Sequence, residues 1–406
     1  MSNNKIRVIN CKNCGGSMEM FIESRKLQTL TCSYCGSVHD VQHEFNILYK
    51  YSNNLKSNSP IKLGMKGKIK DVEFIVIGEI FYSDKLYPES KLVMSDYLVD
   101  YQLYSPTHGY ATLSYENGHY IFSRRVRDIA PNLLNGIFVG NVVVYRNIAF
   151  KVVEIYQTYL YQVKGALSWR AKKGDKTAVV MASSPPYMIS YEKSRNEIEY
   201  YFEEYIKPEI IFEGFNIKND QEDHRLGVHS AQLFDSPILQ ALSKVSFISM
   251  IFSIFVLLFL FIFGSGKEIF LDNWSGTNLQ NAISKEVNVS NVSHLLNLQL
   301  KSSFSGNRWS DYDISLLQNQ KVIKNFSNEL NMARKKSPKI NIYFKLPSMG
   351  KYNLKIASKI TKTPYIKVSL KQNVWTLKYF FMLFLISFLS YIFYLFKRYS
   401  FELKRD

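Results

Sequence analysis

A chain of 406 residues with a formal charge of +17, 28 Tyr, 28 Phe and four Cys exceeds what one hydrophobic core organises, and implies two or three domains. All four cysteines fall within residues 11–35, which excludes a disulfide framework for the rest of the chain. The positive excess is concentrated in residues 265–373, with 17 Lys+Arg against 6 Asp+Glu. Residues 1–244 and 374–406 carry only +3 each.

The first segment, residues 1–45, holds "CKNCGG" (11–16) and "CSYCGS" (32–37), two C-x2-C pairs separated by a 17-residue gap. Each short turn lets two thiolates converge on one ion, so Cys11, Cys14, Cys32 and Cys35 read as a zinc ribbon in which the metal is structural, four thiolates leaving no open position. Gly15 and Gly36 follow the pairs where the turn needs freedom in φ. His39 and His43 lie nearby but are surplus to a complete shell. Thiolate ligation needs a reducing compartment, and Lys5 and Arg7 are followed by no apolar stretch of a secretory signal. Basic residues here are interleaved with Glu19, Glu23, Asp40 and Glu44, which argues against nucleic acid as partner.

Residues 46–60 are polar, end in Pro60 and read as a linker. Residues 61–215 carry short β-branched runs between Gly, Asn and Pro, the pattern of strands and turns. Within them, Lys70-Asp71-Val72-Glu73-Phe74-Ile75-Val76-Ile77 echoes Arg146-Asn147-Ile148-Ala149-Phe150-Lys151-Val152-Val153 at an offset of 76 residues. In "NEIEYYFEEYIK" (196–207), Ile198, Tyr201, Phe202 and Tyr205 have helical spacing, while the aromatic content keeps a strand open. His108 and His119 fall in turn-rich segments and read as solvent-facing or turn-satisfying. Residues 216–244 are largely polar and read as a juxtamembrane linker.

Residues 245–263, "VSFISMIFSIFVLLFLFIF", contain no charge, and 375–396 form a second apolar run with Trp375 and Tyr379 at an interfacial position. At roughly −0.3 to −0.6 kcal/mol per central Leu, Ile, Phe or Val, the first favours bilayer insertion by several kcal/mol. Two spans place both termini on one side, and the thiolates make that side the cytoplasm. Residues 265–373 between them alternate apolar and polar side chains in "LLNLQLKSSF", "INIYFKLP" and "YIKVSLK", as in an extracytoplasmic antiparallel β-sandwich of the jelly-roll kind. Its net positive field suits an anionic envelope polymer or lipid headgroups. Residues 397–406 form a cytoplasmic tail. The expected fold class is therefore mostly β and membrane-anchored.

"GMKGK" (64–68) lacks the spacing of a phosphate loop, and no GxSxG or HExxH motif occurs.

Residues 61–215 resemble the bacterial DUF4178 family, a domain of unknown function, and the Cys module with two spans is similar to the layout of its longer members. The resemblance rests on "VKGALSWRAKKGDK" (163–176), "SPPYMISYEKSRNEIEYYFEEYIKPE" (184–209), "LGMKGKIKDVEFIVIGEI" and "SYENGHYIF". Ala166 and Ser168 stand where the family favours Glu and Pro, and Tyr120 where it favours Trp. It implies an envelope-associated accessory protein with a tandem β-barrel or sandwich-like module, and brings no catalytic residue.

These readings combine into a non-enzymatic two-span scaffold or sensor of the bacterial inner membrane with protein partners. The alternative is an enzyme with a hydrolase or transferase site in the DUF4178-like module, using Trp169 and Glu192.

Overall fold

A computed structural model describes residues 7–51, 55–84, 97–130, 133–134, 136–194, 197–218, 225–275, 283–302, 309–331, 339–358 and 365–405. They form two compact units, Met1–Asp235 with Lys397–Asp406, and Ser236–Phe396. Strand dominates both, as the composition implies.

In the first unit, β1 (Arg7–Asn10) and β2 (Ser17–Met20) make a hairpin, followed by β3 (Thr29–Thr31), β4 (Ser37–Asp40) and β5 (Asn46–Lys50). Strand β5 lies inside the stretch read as a linker. It pairs with β4, and Tyr51 behind it is buried, so this part of 46–60 belongs to the Cys module.

Next come β6 (Lys66–Ile69), β7 (Val72–Ser83), β8 (Leu98–Ser105), β9 (Gly109–Glu116) and β10 (His119–Val126). They are answered by β11 (Val142–Tyr145), β12 (Ile148–Leu167), β13 (Lys176–Ser184), β14 (Tyr187–Ser194) and β15 (Glu197–Ile206).

The echo in the sequence is a structural repeat. Both β6–β7 and β11–β12 close through two residues with positive φ, Lys70-Asp71 and Arg146-Asn147, the turn whose twist matches the strands it joins. Each long strand carries an irregularity at the same place, Val76/Gly78 in β7 and Val152/Glu154 in β12.

Each repeat is an antiparallel meander, and the two meet twice, β10 against β15 and β7 against β12. Hydrogen bonding therefore runs β12-β13-β14-β15-β10-β9-β8-β7 and back to β12, a closed cycle of eight strands. Closure brings Gly78 opposite Gly165. A Cβ on Gly165 would lie 2.4 Å from the Ile77 carbonyl oxygen, and its φ of +72° independently favours glycine.

One face of this cycle packs into two separate cores. Val76, Tyr101, Leu113 and Phe122 join Ile211 and Phe215 of α1 (Pro208–Gly214) and its end. Val152, Val180, Ile189 and Tyr200 join Ile129 and Leu134. Strand β15 corrects the helical spacing of 196–207: β10 and β14 offer it a ladder on both edges, and Tyr200 and Tyr201 consequently point to opposite faces.

Residues 225–235 correct the reading of 216–244 as a bare linker. Ala231 is wholly buried against Ile121, Met188 and Tyr205, and Ser183 donates to the Ser230 carbonyl. His119, read as solvent-facing or turn-satisfying, is buried and bridges distant elements, with Nδ1 3.1 Å from the Tyr205 hydroxyl and Nε2 3.3 Å from the Leu226 carbonyl. His108 stays at the surface beside Thr107.

The second unit begins with α2 (Pro237–Phe263), which starts well before residue 245 because Pro237 is favourable in a first helical turn. Eight strands follow: β16 (Lys267–Ser275), β17 (Ile283–Val289), β18 (Leu295–Ser302), β19 (Trp309–Gln318), β20 (Lys321–Asn331), β21 (Lys339–Phe344), β22 (Gly350–Ser358) and β23 (Tyr365–Val374). They form two four-stranded sheets, β16-β23-β18-β21 and β17-β22-β19-β20. Alternate residues of both, among them Trp274, Leu298, Ile314, Leu354 and Val368, share one core.

Helix α3 (Lys378–Arg405) closes the chain, so the stretch read as a tail continues the helix as far as Arg405. The Trp375 amide donates to the Gly264 carbonyl, which holds the two ends of this β-unit together. Helices α2 and α3 touch through Ser246–Ser390 at 3.0 Å and Phe247–Tyr391. Both are long and apolar enough to cross a membrane, and most of their large apolar side chains are exposed.

Candidate metal centre

The two Cys turns have one local design. Gly15 N–H donates to the Cys11 carbonyl and Cys11 N–H to the Gly16 carbonyl; Gly36 N–H donates to the Cys32 carbonyl and Cys32 N–H to the Ser37 carbonyl. Gly15 and Gly36 have φ of +72° and +74°, the left-handed backbone the turn requires. At Gly36 a side chain is also excluded by space, its Cβ falling 2.6 Å from the Tyr51 carbonyl oxygen.

These turns join β1 to β2 and β3 to β4, so the four sulfurs meet where the two hairpins face each other, all within 4.8 Å. Cys11 Sγ lies 3.6 Å from Cys35 Sγ, and Cys14 Sγ 3.8 Å from Cys32 Sγ. Disulfide sulfurs sit about 2 Å apart. A tetrahedron with metal–sulfur bonds of about 2.3 Å has edges of about 3.8 Å, and the observed separations match that. The set can therefore hold a metal ion, and it is the one such group among the described residues.

Electrostatics favour a cation there. Burial pushes the Cys32 thiol up to about 12. Burial also raises Cys35, but its hydrogen bonds with Ser37 and Asn13 outweigh it and hold that thiol down at about 5. A metal ion supplies the charge that makes four adjacent thiolates stable.

His39, passed over as surplus, is completely buried, with Nε2 3.2 Å from Cys11 Sγ while Nδ1–H donates to the Phe45 carbonyl at 3.0 Å. It orients Cys11 without adding a ligand. The C-x2-C spacing alone gave no signal for this contact, which is made across 28 residues.

The module is tied to the β cycle. Strand β3 pairs with the end of β12, Thr29 opposite Leu167, and Asp40 binds Arg170 at 2.6 Å. Cys11, Cys32, Leu27 and Leu30 share a core with Ile75, Ile77 and Ala166.

Trp169 and Glu192, the pair suggested for an enzyme site, are held on separate elements. Trp169 is 36% exposed beyond β12, its carbonyl accepting from Thr29 of the Cys module; Glu192 lies in β14 opposite Val179 and Glu199.

No protein-family model matches the chain, and no curated protein is similar to it. Among solved structures, 26% of the chain is similar to 78% of the C-terminal domain of EclA, a sugar-binding protein, at 16% identity and a TM-score of 0.18. An exo-β-1,3-galactanase from Phanerochaete chrysosporium aligns over 68% of this chain and 78% of its own, at 7% identity and a TM-score of 0.17. Latent PorU from Porphyromonas gingivalis aligns over 76% of this chain and 24% of its own, at 9% identity and a TM-score of 0.16. Similarities this low leave the architecture and the site to be read from the chain itself.

Proposed function

We propose that the chain is a two-span protein of the bacterial inner membrane, acting as a scaffold or sensor that links a cytoplasmic zinc-ribbon and β module to an extracytoplasmic basic domain. The observation that carries this is the pair of helices α2 and α3, which expose apolar side chains on both sides of a folded β-unit. A water-soluble protein would bury such surfaces, and a bilayer does so by matching their length. Thiolate ligation assigns the Cys module, and with it both termini, to the reducing side.

Zinc is the metal proposed for Cys11, Cys14, Cys32 and Cys35, since four thiolates at tetrahedral spacing are its usual structural shell. Residues 61–215 are proposed as a DUF4178-like tandem module, supported by the repeat at 76 residues. The strand orders β16-β23-β18-β21 and β17-β22-β19-β20 support a jelly-roll sandwich between the spans. Its excess of Lys and Arg suits anionic envelope polymers or headgroups.

Protease protection on right-side-out cells tests the arrangement. Residues 265–373 should be cleaved in intact cells while the N-terminal half survives until the membrane is opened; digestion of the N-terminal half in intact cells would refute it.

The enzyme alternative draws support from a set of two carboxyls, Glu192 and Glu203, which share one face of β14 and β15 and which burial raises toward neutrality, as general acids require. Glu192 belongs to that set and Trp169 does not.

A further inference from the structure

In a closed cycle of paired strands, residues opposite one another share a face. Starting from Asp100, the register assigns Ser114 to its face, and Ser123, Glu203, Arg125, Tyr201, Ser190 and Glu192 follow by the same rule. This face opposes the one that fills the two apolar cores, so it is the interior of the cycle.

Apolar contacts bound that interior on two sides. Ile121, Met188 and Tyr205 pack on Ala231, and Ile80, Leu160 and Val163 pack on Val38 and Tyr51 of the Cys module. Between them, Asp100, Glu192, Glu203 and three tyrosines stand among serines, Thr158, Val179, Met181 and Arg125.

Both repeats contribute to this face, Tyr82 and Asp100 from the first and Tyr156, Glu192 and Glu203 from the second. Asp100, Glu192 and Glu199 act on Tyr82; Glu192, Glu154, Glu203 and Glu116 act on Tyr156. Arg125 is committed to Glu199 at 2.5 Å. Among the described residues, Asp100, Glu192 and Glu203 have no basic partner.

A second observation is independent of the acids. Thr158 is 8% exposed, and its buried hydroxyl has no hydrogen-bond partner in the protein. On β12 it follows Tyr156 on the same interior face. Asp100 Oδ1 is likewise buried and unpaired. Buried polar atoms are ordinarily satisfied, so these two mark the place of a ligand with hydrogen-bonding groups.

We infer that the interior of the eight-strand cycle binds an elongated organic cation of the polyamine class, through Asp100, Glu192 and Glu203 with Tyr82, Tyr156 and Tyr201 as ring walls. A carboxyl without a basic partner gains a charge-assisted hydrogen bond when an ammonium group binds beside it and its own proton leaves to solvent, and tyrosine faces attract ammonium groups. A divalent metal fits less well: among the described residues only the four cysteines converge tightly enough for one ion, so the carboxylates are distributed as a chain of separated ammonium groups requires. The inference deepens the sensor reading by naming a ligand class, and the segment that packs on the interior at Ala231 continues directly into α2.

The test is calorimetric titration of the purified full chain in detergent with spermidine, with putrescine and with Mg2+. Saturable spermidine binding, weaker putrescine binding and at least a tenfold loss of spermidine affinity in Glu192→Gln/Glu203→Gln are expected. Glu286→Gln, in the second unit, should bind like wild type. Absence of spermidine binding, equal loss in Glu286→Gln, or tighter binding of Mg2+ would overturn the proposal. Should the double variant fail to fold, carbodiimide labelling of wild-type Glu192 decides: suppression by spermidine supports the site and unchanged labelling refutes it. None of these measurements depends on membrane orientation, so a failed topology test and a failed ligand test are distinguishable.

Discussion

Val76 and Val152, 76 positions apart, make the same two backbone hydrogen bonds: each accepts from a glycine amide, Gly64 or Gly140, and donates to the carbonyl of the next residue, Met65 or Asn141. Both valines are fully buried, each in the core of its own repeat. Val76→Ala and Val152→Ala should therefore cost similar amounts, each on the order of 2 kcal/mol, read as parallel drops in the midpoint of thermal unfolding. A large difference between them would show that the halves are not energetically equivalent.

Gly165→Ala should be more damaging than its size implies. The new Cβ meets the Ile77 carbonyl oxygen at the contact that closes the strand cycle, and the left-handed backbone adds strain. A loss above about 2 kcal/mol is expected. Gly174→Ala, which also has positive φ but open space around it, separates the two effects and should lose less.

Metal content gives a direct test of the Cys cluster. Purified wild type should carry about one zinc per chain and Cys11→Ser/Cys14→Ser essentially none, with a lowered unfolding temperature. His39→Ala should retain zinc but bind it about 10–100-fold more weakly, because the contact to Cys11 is lost. Competition with a chelator measures the difference.

Glu192 makes stability depend on pH. Burial, then the charges of Asp100, Glu203 and Glu199, push its carboxyl up to about 8 from an ordinary value of 4.5. Between those values the folded chain holds a proton that the unfolded chain has lost, so stability falls as pH rises through the window. Glu192→Gln cannot ionise. Relative to wild type it should gain a few kcal/mol at pH 8 and above and little at pH 4.5. Unfolding curves that track wild type at every pH would place Glu192 in water.

The sequence by itself determined what is local. Cys turns, two-residue hairpins at Lys70-Asp71 and Arg146-Asn147, alternation along β18 and β23, and two apolar helices all follow from neighbours in the chain, where backbone preference and side-chain period act directly. Tertiary structure decided what depends on partners far along the chain. Strand β15 chose its state because β10 and β14 flank it, and His39 met Cys11 because two hairpins converge. Alternation along a strand reports only that two faces differ, and leaves open which of them is enclosed. It took the pairing of β7 with β12 to close the cycle and turn Asp100, Glu192 and Glu203 inward.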